Sequence, residues 1–285
     1  MKKIVIIPNM SKDRAAFVTA EAVSVLKSVG ITSYIEKKYS ESLKVENAVF
    51  YTDFPTDAEL LIVVGGDGSV LDASPYAVKN NIPLIAINLG KVGYLSEIDP
   101  SDLSVLKKLA TNEYDIKEKM LLSVKRITDG GEEEISKLAL NDVVVSQHTE
   151  LGVAKIKIGD SIGNTVRYRA DGVLFSTPQG STSYSLSAGG PVVAHDVDTI
   201  IMTPICPHSF LNRSVLFNSN EEISVKNCGK VPLSVSVDGR CLATLAEGDM
   251  AQVKKADKKI KILTFSKNSM FTNLFKKMGF LEELN

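Results

Sequence analysis

The stretch Glu59-Leu60-Leu61-Ile62-Val63-Val64-Gly65-Gly66-Asp67-Gly68-Ser69 decides how the rest of the chain is read. Leu60 to Val64 is an unbroken apolar run with β-branched residues at its end, the pattern of a strand buried on both faces. It stops at Gly65-Gly66-Asp67-Gly68, and Ser69 stands where the N-cap or first turn of a helix begins. Glycines let the backbone turn tightly and let another molecule approach its N–H groups, while a helix N-terminus attracts anions. Asp67 puts a carboxylate in the middle of that turn. By spacing alone an ordinary Asp-Gly turn explains the segment equally well. A phosphate cradle with an acid in it is the sharper alternative.

Working outward, Lys3 to Ile7 reads as a buried strand, and residues 13–29 place Val18, Ala22, Val25, Leu26 and Val29 on one helical stripe that Gly30 ends. Ile31 to Ile35 is a second strand, and Tyr39 to Asp57 holds a short helix and loop. Beyond the glycine turn come a helix near 69–79, the strand Pro83 to Asn88 and a helix around 101–110. Alternating strands and helices specify a doubly wound parallel sheet, in which ligands bind at the carboxyl ends of the strands. Asp67 and the loop from Asn88 to Tyr94 both fall there.

From about Lys117 the pattern changes. Leu121 to Ile127 alternates and turns at Asp129-Gly130-Gly131; Ala154 to Ile158 alternates, turns through Gly159 to Asn164 and returns as Thr165 to Ala170. Val173 to Phe175 and the later runs 214–217, 222–226, 233–237 and 259–265 are short and separated by turn residues. The fold expected is α/β plus β: an α/β domain over 1–115 and a β-rich, mostly antiparallel domain over 116–266. A helix over 267–285, with Met270, Phe271, Leu274, Phe275 and Met278 at helical spacing, is expected to pack back on the body.

The 285 residues carry 33 basic and 34 acidic side chains, a net charge of −1 that argues against nucleic-acid binding by bulk electrostatics. The three cysteines make neither a disulfide framework nor a Cys-x-x-Cys metal spacing. Pro8 and Asn9 end the first apolar run far short of a signal peptide, and no stretch approaches the ~20 apolar residues of a membrane span. A cytoplasmic location without membrane attachment is the expectation.

Two further clusters carry chemistry. Asn141-Asp142 interrupts the apolar runs Leu138 to Leu140 and Val143 to Val145, so two polar side chains in a buried strand need partners; a bulge or turn is the ordinary explanation. Arg167-Tyr168-Arg169-Ala170-Asp171-Gly172 leads through a strand into Ser176-Thr177-Pro178-Gln179-Gly180-Ser181-Thr182-Ser183-Tyr184-Ser185-Leu186-Ser187, then Ala188-Gly189-Gly190-Pro191. That density of hydroxyls suits a polyhydroxylated or phosphorylated ligand, and Tyr184 offers a ring for a base. Gly-x-x-x-x-Gly-Lys-Ser/Thr and Gly-x-Gly-x-x-Gly are both absent. His148, His195 and His208 have no neighbour at ligand spacing, and no metal site is assigned to side chains.

In this order the three clusters resemble the NAD kinase family, and Asn88-x-Gly-x-x-Gly-Tyr-Leu, Pro204-Ile205-Cys206-Pro207-His208 and Val237-Asp238-Gly239 are similar to further family segments. The glycine turn alone is shared with diacylglycerol and sphingosine kinases and 6-phosphofructokinases; the Thr-Pro-x-Gly-Ser-Thr-x-Tyr segment narrows the resemblance. The resemblance implies phosphorylation of the 2′-hydroxyl of the adenosine ribose of NAD, with ATP as donor and Mg2+ or another divalent cation, giving NADP. It implies Asp67 as proton acceptor, and Gly65, Gly66, Gly68 and Ser69 beside the donor phosphates. Asn141, Asp142, Arg169 and Asp171 would hold the dinucleotide, Thr182, Ser183, Tyr184, Ser185, Leu186 and Ser187 would line its pocket, and Tyr94 would stack nearby. The family fold pairs an α/β with a β-sandwich-like domain, assembled as a homo-oligomer (dimer or tetramer). Asp142 stands where the family more often has Glu, Gln179 and Ser183 replace smaller or apolar residues, and Arg240 replaces a frequent Gln. The alternatives are a kinase of the same superfamily acting on a lipid or sugar-phosphate hydroxyl, and a non-catalytic NAD(H)-binding module.

Overall fold

The computed structural model describes residues 2–90, 93, 95–135, 137–147, 153–208 and 212–265. Contacts divide the chain into two units, one comprising residues up to Glu118 and from Ile260 on, the other Lys119–Lys259. The helix expected over 267–285, and with it Tyr94 and His148, lies outside the described residues.

In the first unit the elements run β1 (Lys3–Pro8), α1 (Ala15–Ser28), β2 (Thr32–Glu36), α2 (Ser40–Leu43), β3 (Ala48–Tyr51), β4 (Leu60–Gly65), α3 (Asp67–Asn80), β5 (Leu84–Asn88) and α4 (Lys108–Thr111). The strands pair in parallel in the order β3-β2-β1-β4-β5. Every residue of β4 is buried, as its unbroken apolar run demands. Val18, Ala22 and Leu26 of α1 enter the same core as Ile4, Ile62 and Ile85, while Val25 and Val29 pack at its margin. Pro75 inside α3 removes the amide that would reach the Leu71 carbonyl, and Ser74 Oγ donates to that oxygen instead at 3.0 Å.

Three local expectations change. The helix expected near 69–79 begins at Asp67, so Asp67 is its first residue rather than the middle of a turn. The segment at 101–110 is a 3-10 helix over Pro100–Lys107, broken at Asp102, that becomes α4 only at Lys108. The loop expected to Asp57 contains β3, a four-residue strand at the sheet edge with too few residues to show a period.

The second unit contains β6 (Asp115–Thr128, entered from the first unit), β7 (Gly131–Glu134), β8 (Asp142–Gln147), β9 (Ala154–Gly159), β10 (Thr165–Ala170), β11 (Gly172–Ser176), α5 (Tyr184–Ser187), β12 (Thr199–Ile205), β13 (Val215–Asn218), β14 (Ile223–Asn227), β15 (Leu233–Val237), β16 (Arg240–Leu245) and β17 (Met250–Thr264). One antiparallel sheet has the order β13-β12-β11-β8-β15-β16, and β10-β9-β14-β17 form part of another. Val143, Val173 and Phe175 of the former share a core with Ile156, Ile223 and Val253 of the latter, the arrangement of a sandwich. β12, which the sequence reading does not name, is buried throughout, and its Pro204 sits opposite Val173 in the ladder. The last five residues of β17 belong to the first unit, where Ile262 pairs in parallel with Leu84, so the second unit ends at 259 and not at 266. No helix among the described residues is long and apolar enough to cross a membrane.

Candidate active site

In the first unit the strand order reverses between β1 and β4, and the chain leaving each strand reaches the same place. Asn9, just after β1, donates from Nδ2 to Ser69 Oγ at 2.8 Å, and its own N–H bonds the Val64 carbonyl at 2.9 Å. Such a switch point is where open α/β sheets bind ligands. Gly65 permits the abrupt strand-to-helix change: a Cβ there would lie 2.3 Å from Ser69 Oγ. Cβ atoms at Gly66 and Gly68 would meet nothing within 4 Å among the described residues, which therefore give no packing reason for either glycine. Asp67 is half-buried between them, and its Oδ1 accepts from Leu95 N at 3.1 Å and Ser96 Oγ at 3.3 Å. The carboxylate is thereby fixed at a helix end whose first amides have no intrahelical acceptor.

The open space beside Gly68 makes a prediction with opposite signs for folding and function. Gly68→Ala is expected to raise stability by up to about 1 kcal/mol, because alanine is the better helix former. The same methyl group occupies space proposed for donor phosphates, so KM for the donor is expected to rise about tenfold or more. Thermal unfolding and donor titration check the pair; an unchanged KM would show that nothing approaches the backbone at Gly68.

In the second unit Asn141 and Asp142 stand at the start of β8, both nearly inaccessible. Facing them is the two-residue turn Asp238-Gly239, both with positive φ, that joins β15 to β16. Asp238 accepts from the N–H groups of Leu140 (3.0 Å), Asn141 (2.9 Å) and Asp142 (3.1 Å), and its own N–H returns a bond to the Asp142 carbonyl at 3.0 Å. The Asp142 carboxyl receives no hydrogen bond among the described residues. Burial first, and then the neighbouring Asp238 charge, push it up to about 7. Asp238 is also raised by burial, against which its three amide donors hold the ionised form.

The hydroxyl-rich segment divides into structural and accessible residues. Thr177 Oγ1 donates to the Leu140 carbonyl at 2.6 Å and accepts from Gly180 N at 3.0 Å; Ser181 Oγ bridges both backbone groups of Val193. Ser185 Oγ, expected among the pocket donors, is fully buried 3.4 Å from Thr203 Oγ1, and Thr182 Oγ1 turns to the Gln179 carbonyl at 3.4 Å. Ser183 Oγ receives Asn141 Nδ2 at 3.4 Å. Leu186 is half-buried, while Ser187, Tyr184, Arg169 and Asp171 are exposed. Burial first, then the charges of Cys206, Asp142 and Asp171, raise the Tyr184 phenol. The structure thus gathers Asn141, Asp142, Ser183 and Tyr184 into one cluster.

Asp238 and Asn9 were not picked out as site residues. In sequence Asp238 shows as an Asp-Gly dipeptide within a segment similar to the family's, and Asn9 as an asparagine after a strand. Among the described residues, no group of three or more His, Cys, Asp or Glu side chains is arranged to hold a metal ion.

Comparison with known proteins matches two family models in succession along the chain. Residues 4–114 match the model of the ATP-NAD kinase N-terminal domain, and residues 140–265 that of the ATP-NAD kinase C-terminal domain. The chain is 34% identical over 284 residues to an NAD kinase of Natranaerobius thermophilus, covering 98% of each. It is 36% identical over 293 residues to one of Lachnoclostridium phytofermentans, covering 98% of this chain and 99% of the relative. In fold it is similar to yeast NADH kinase complexed with NADH, with a TM-score of 0.85 at 24% identity, over 100% of this chain and 89% of that one. It is also similar to an Archaeoglobus fulgidus NAD kinase in complex with ATP, with a TM-score of 0.73 at 23% identity, over 99% and 100% of the two chains. With both domain models matched in order and relatives above 30% identity along nearly the whole length, this chain belongs to the ATP-NAD kinase family.

Proposed function

We propose that the chain transfers the terminal phosphate of ATP to the 2′-hydroxyl of the adenosine ribose of NAD, giving NADP and ADP. The observation that carries this reading is Asp67 at the first position of α3, between two glycines whose side-chain space is empty. Family membership supports it, as do the names of the relatives, which are NAD kinases. In this reading the unit that runs to Glu118 and resumes at Ile260 is the donor domain, and Lys119–Lys259 is the dinucleotide domain. Phosphoryl transfer asks for positioning and charge neutralisation more than covalent help. As the ribose oxygen bonds to the terminal phosphorus, the bond from that phosphorus to the departing ADP oxygen breaks, and the hydroxyl proton passes to the Asp67 carboxylate.

The amides at the start of α3 and the space at Gly66 and Gly68 receive donor phosphates. A divalent ion suits a site with one acid beside an anion-attracting helix end, because Mg2+ is held largely by nucleotide phosphates and water. When bound, it neutralises phosphate charge. Asn141, Asp142, Ser183 and Tyr184 hold the acceptor in the second unit, with Arg169 and Asp171 exposed beside the same strands. Assembly as a dimer or tetramer belongs to the same proposal, supported by exposed Val215 and Leu216 on the edge strand β13. So does a cytoplasmic location, for which the three exposed free cysteines speak.

Incubating the purified protein with ATP, Mg2+ and NAD and reading NADP with an NADP-specific dehydrogenase tests the proposal. Stoichiometric NADP and ADP are expected. Absence of NADP with ATP and with polyphosphate as donors would refute it.

A further inference from the structure

We propose that Asp238 is a positioning residue of the acceptor site, acting through Asp142: its carboxylate gathers the backbone of residues 140–142 and keeps a proton on the Asp142 carboxyl, which then donates a hydrogen bond to a carbonyl oxygen of the ligand. The inference rests on the reading of this site as the dinucleotide site, where the carboxamide oxygen of the nicotinamide ring is an acceptor of the required kind.

Three features of the geometry carry it. Asp238 uses its two oxygens on three successive amides, at 2.9 to 3.1 Å, and donates its own N–H back to Asp142, so the hairpin turn and the start of β8 are locked in one register. Asp142 is only 4% exposed, yet among the described residues no group bonds its carboxyl, so this buried polar group has room for a ligand or solvent partner. The two acids also differ in support. Asp238 has three amides and the nearby charge of Lys137, whose buried Nζ has no hydrogen-bond partner among the described residues. Asp142 has burial and a like charge, and it therefore carries the proton when the pair shares one. The other groups that face the pair are Tyr184 from α5 and, acting on Tyr184 with Asp142, Asp171 and Cys206.

A protonated carboxylic acid donates to a carbonyl; a carboxylate repels it. Ionisation of Asp142 should therefore weaken acceptor binding above neutral pH without touching the reacting groups around Asp67.

Titration of the aspartate carboxyl carbons by nuclear magnetic resonance, on the full chain without ligand, tests the coupling. Asp142→Asn identifies the resonance, expected to titrate near neutrality, and Asp238→Asn is expected to move its midpoint toward acid by about one unit or more. Asn retains an acceptor oxygen for the 141 and 142 amides, so this variant keeps much of the local register. An unmoved midpoint would overturn the coupling whether or not the protein makes NADP. The second arm follows KM and kcat for NAD from pH 6 to pH 8.5. In the unaltered protein KM is expected to rise about tenfold, with kcat following a separate profile. In Asp142→Asn, which leaves Asp238 in place, KM should be flat with pH. A pH-independent KM in the unaltered protein, or a rise that survives in Asp142→Asn, would overturn the donor role. Failure to form any NADP would refute the kinase reading instead, with the titration arm still deciding the Asp238–Asp142 coupling.

Discussion

Asp67→Asn is expected to lower kcat by about 10²- to 10⁴-fold, the range typical of a lost general base, while KM for NAD changes less than about threefold. The substitution isolates the charge. An asparagine oxygen still accepts from Leu95 N and Ser96 Oγ, so those two partners have no reason to move. Asparagine is also tolerated at the start of a helix, so α3 should begin at the same residue. What disappears is the acceptor for the proton of the attacking hydroxyl. Turnover measured by coupled NADP detection, with NAD affinity measured separately by calorimetry, separates the two effects. Turnover within threefold of the unaltered protein would remove Asp67 from the role of base.

Gly180→Ala is expected to be the most damaging single-methyl change in the second unit, costing about 3 kcal/mol or more and lowering the melting temperature by several degrees. A Cβ at this position would lie 2.1 Å from the Asn141 carbonyl oxygen and 2.5 Å from its carbon; that oxygen accepts from Thr177 N at 2.9 Å, and the N–H groups of Asn141 and Asp142 on either side of the carbonyl both donate to Asp238. Neither neighbour can yield by rotating a side chain. The Thr177 hydroxyl, which reaches both Leu140 O and Gly180 N, would be displaced in the same movement, leaving buried polar groups unpaired. Because the shift is transmitted to Asn141, acceptor binding should fall together with stability. Urea unfolding beside NAD titration reads both, and a stability within about 0.5 kcal/mol of the unaltered protein would show that the strand can retreat.

The contrast between Gly180 and Gly68 shows what the sequence could and could not separate. Both glycines stand in motifs that read as ligand-binding, and nothing in the residue type distinguishes them. At Gly180 the backbone of Asn141 fills the space; at Gly68 the space is empty. The hydroxyls divide in the same way. Ser181 and Ser185 are consumed by Val193 and Thr203, residues 12 and 18 positions away, while the Ser183 hydroxyl meets the Asn141 amide. A sequence shows the supply of donors; only the tertiary contacts show which are already used.

The glycine-flanked carboxylate, the buried strand before it, a helix following the strand and the change from α/β to antiparallel β texture near residue 117 were all determined by the sequence itself. These are local matters of apolar period, turn chemistry and short-range backbone freedom, and they need no distant partner. The tertiary structure decided the rest. It started α3 at Asp67, put Asn9, just after β1, against Ser69 of α3, and set the Asp238 turn against the amides of residues 140–142, some 97 positions away. Burial and a like charge at that junction, neither of them encoded in any neighbouring residue, are what give Asp142 its raised proton affinity.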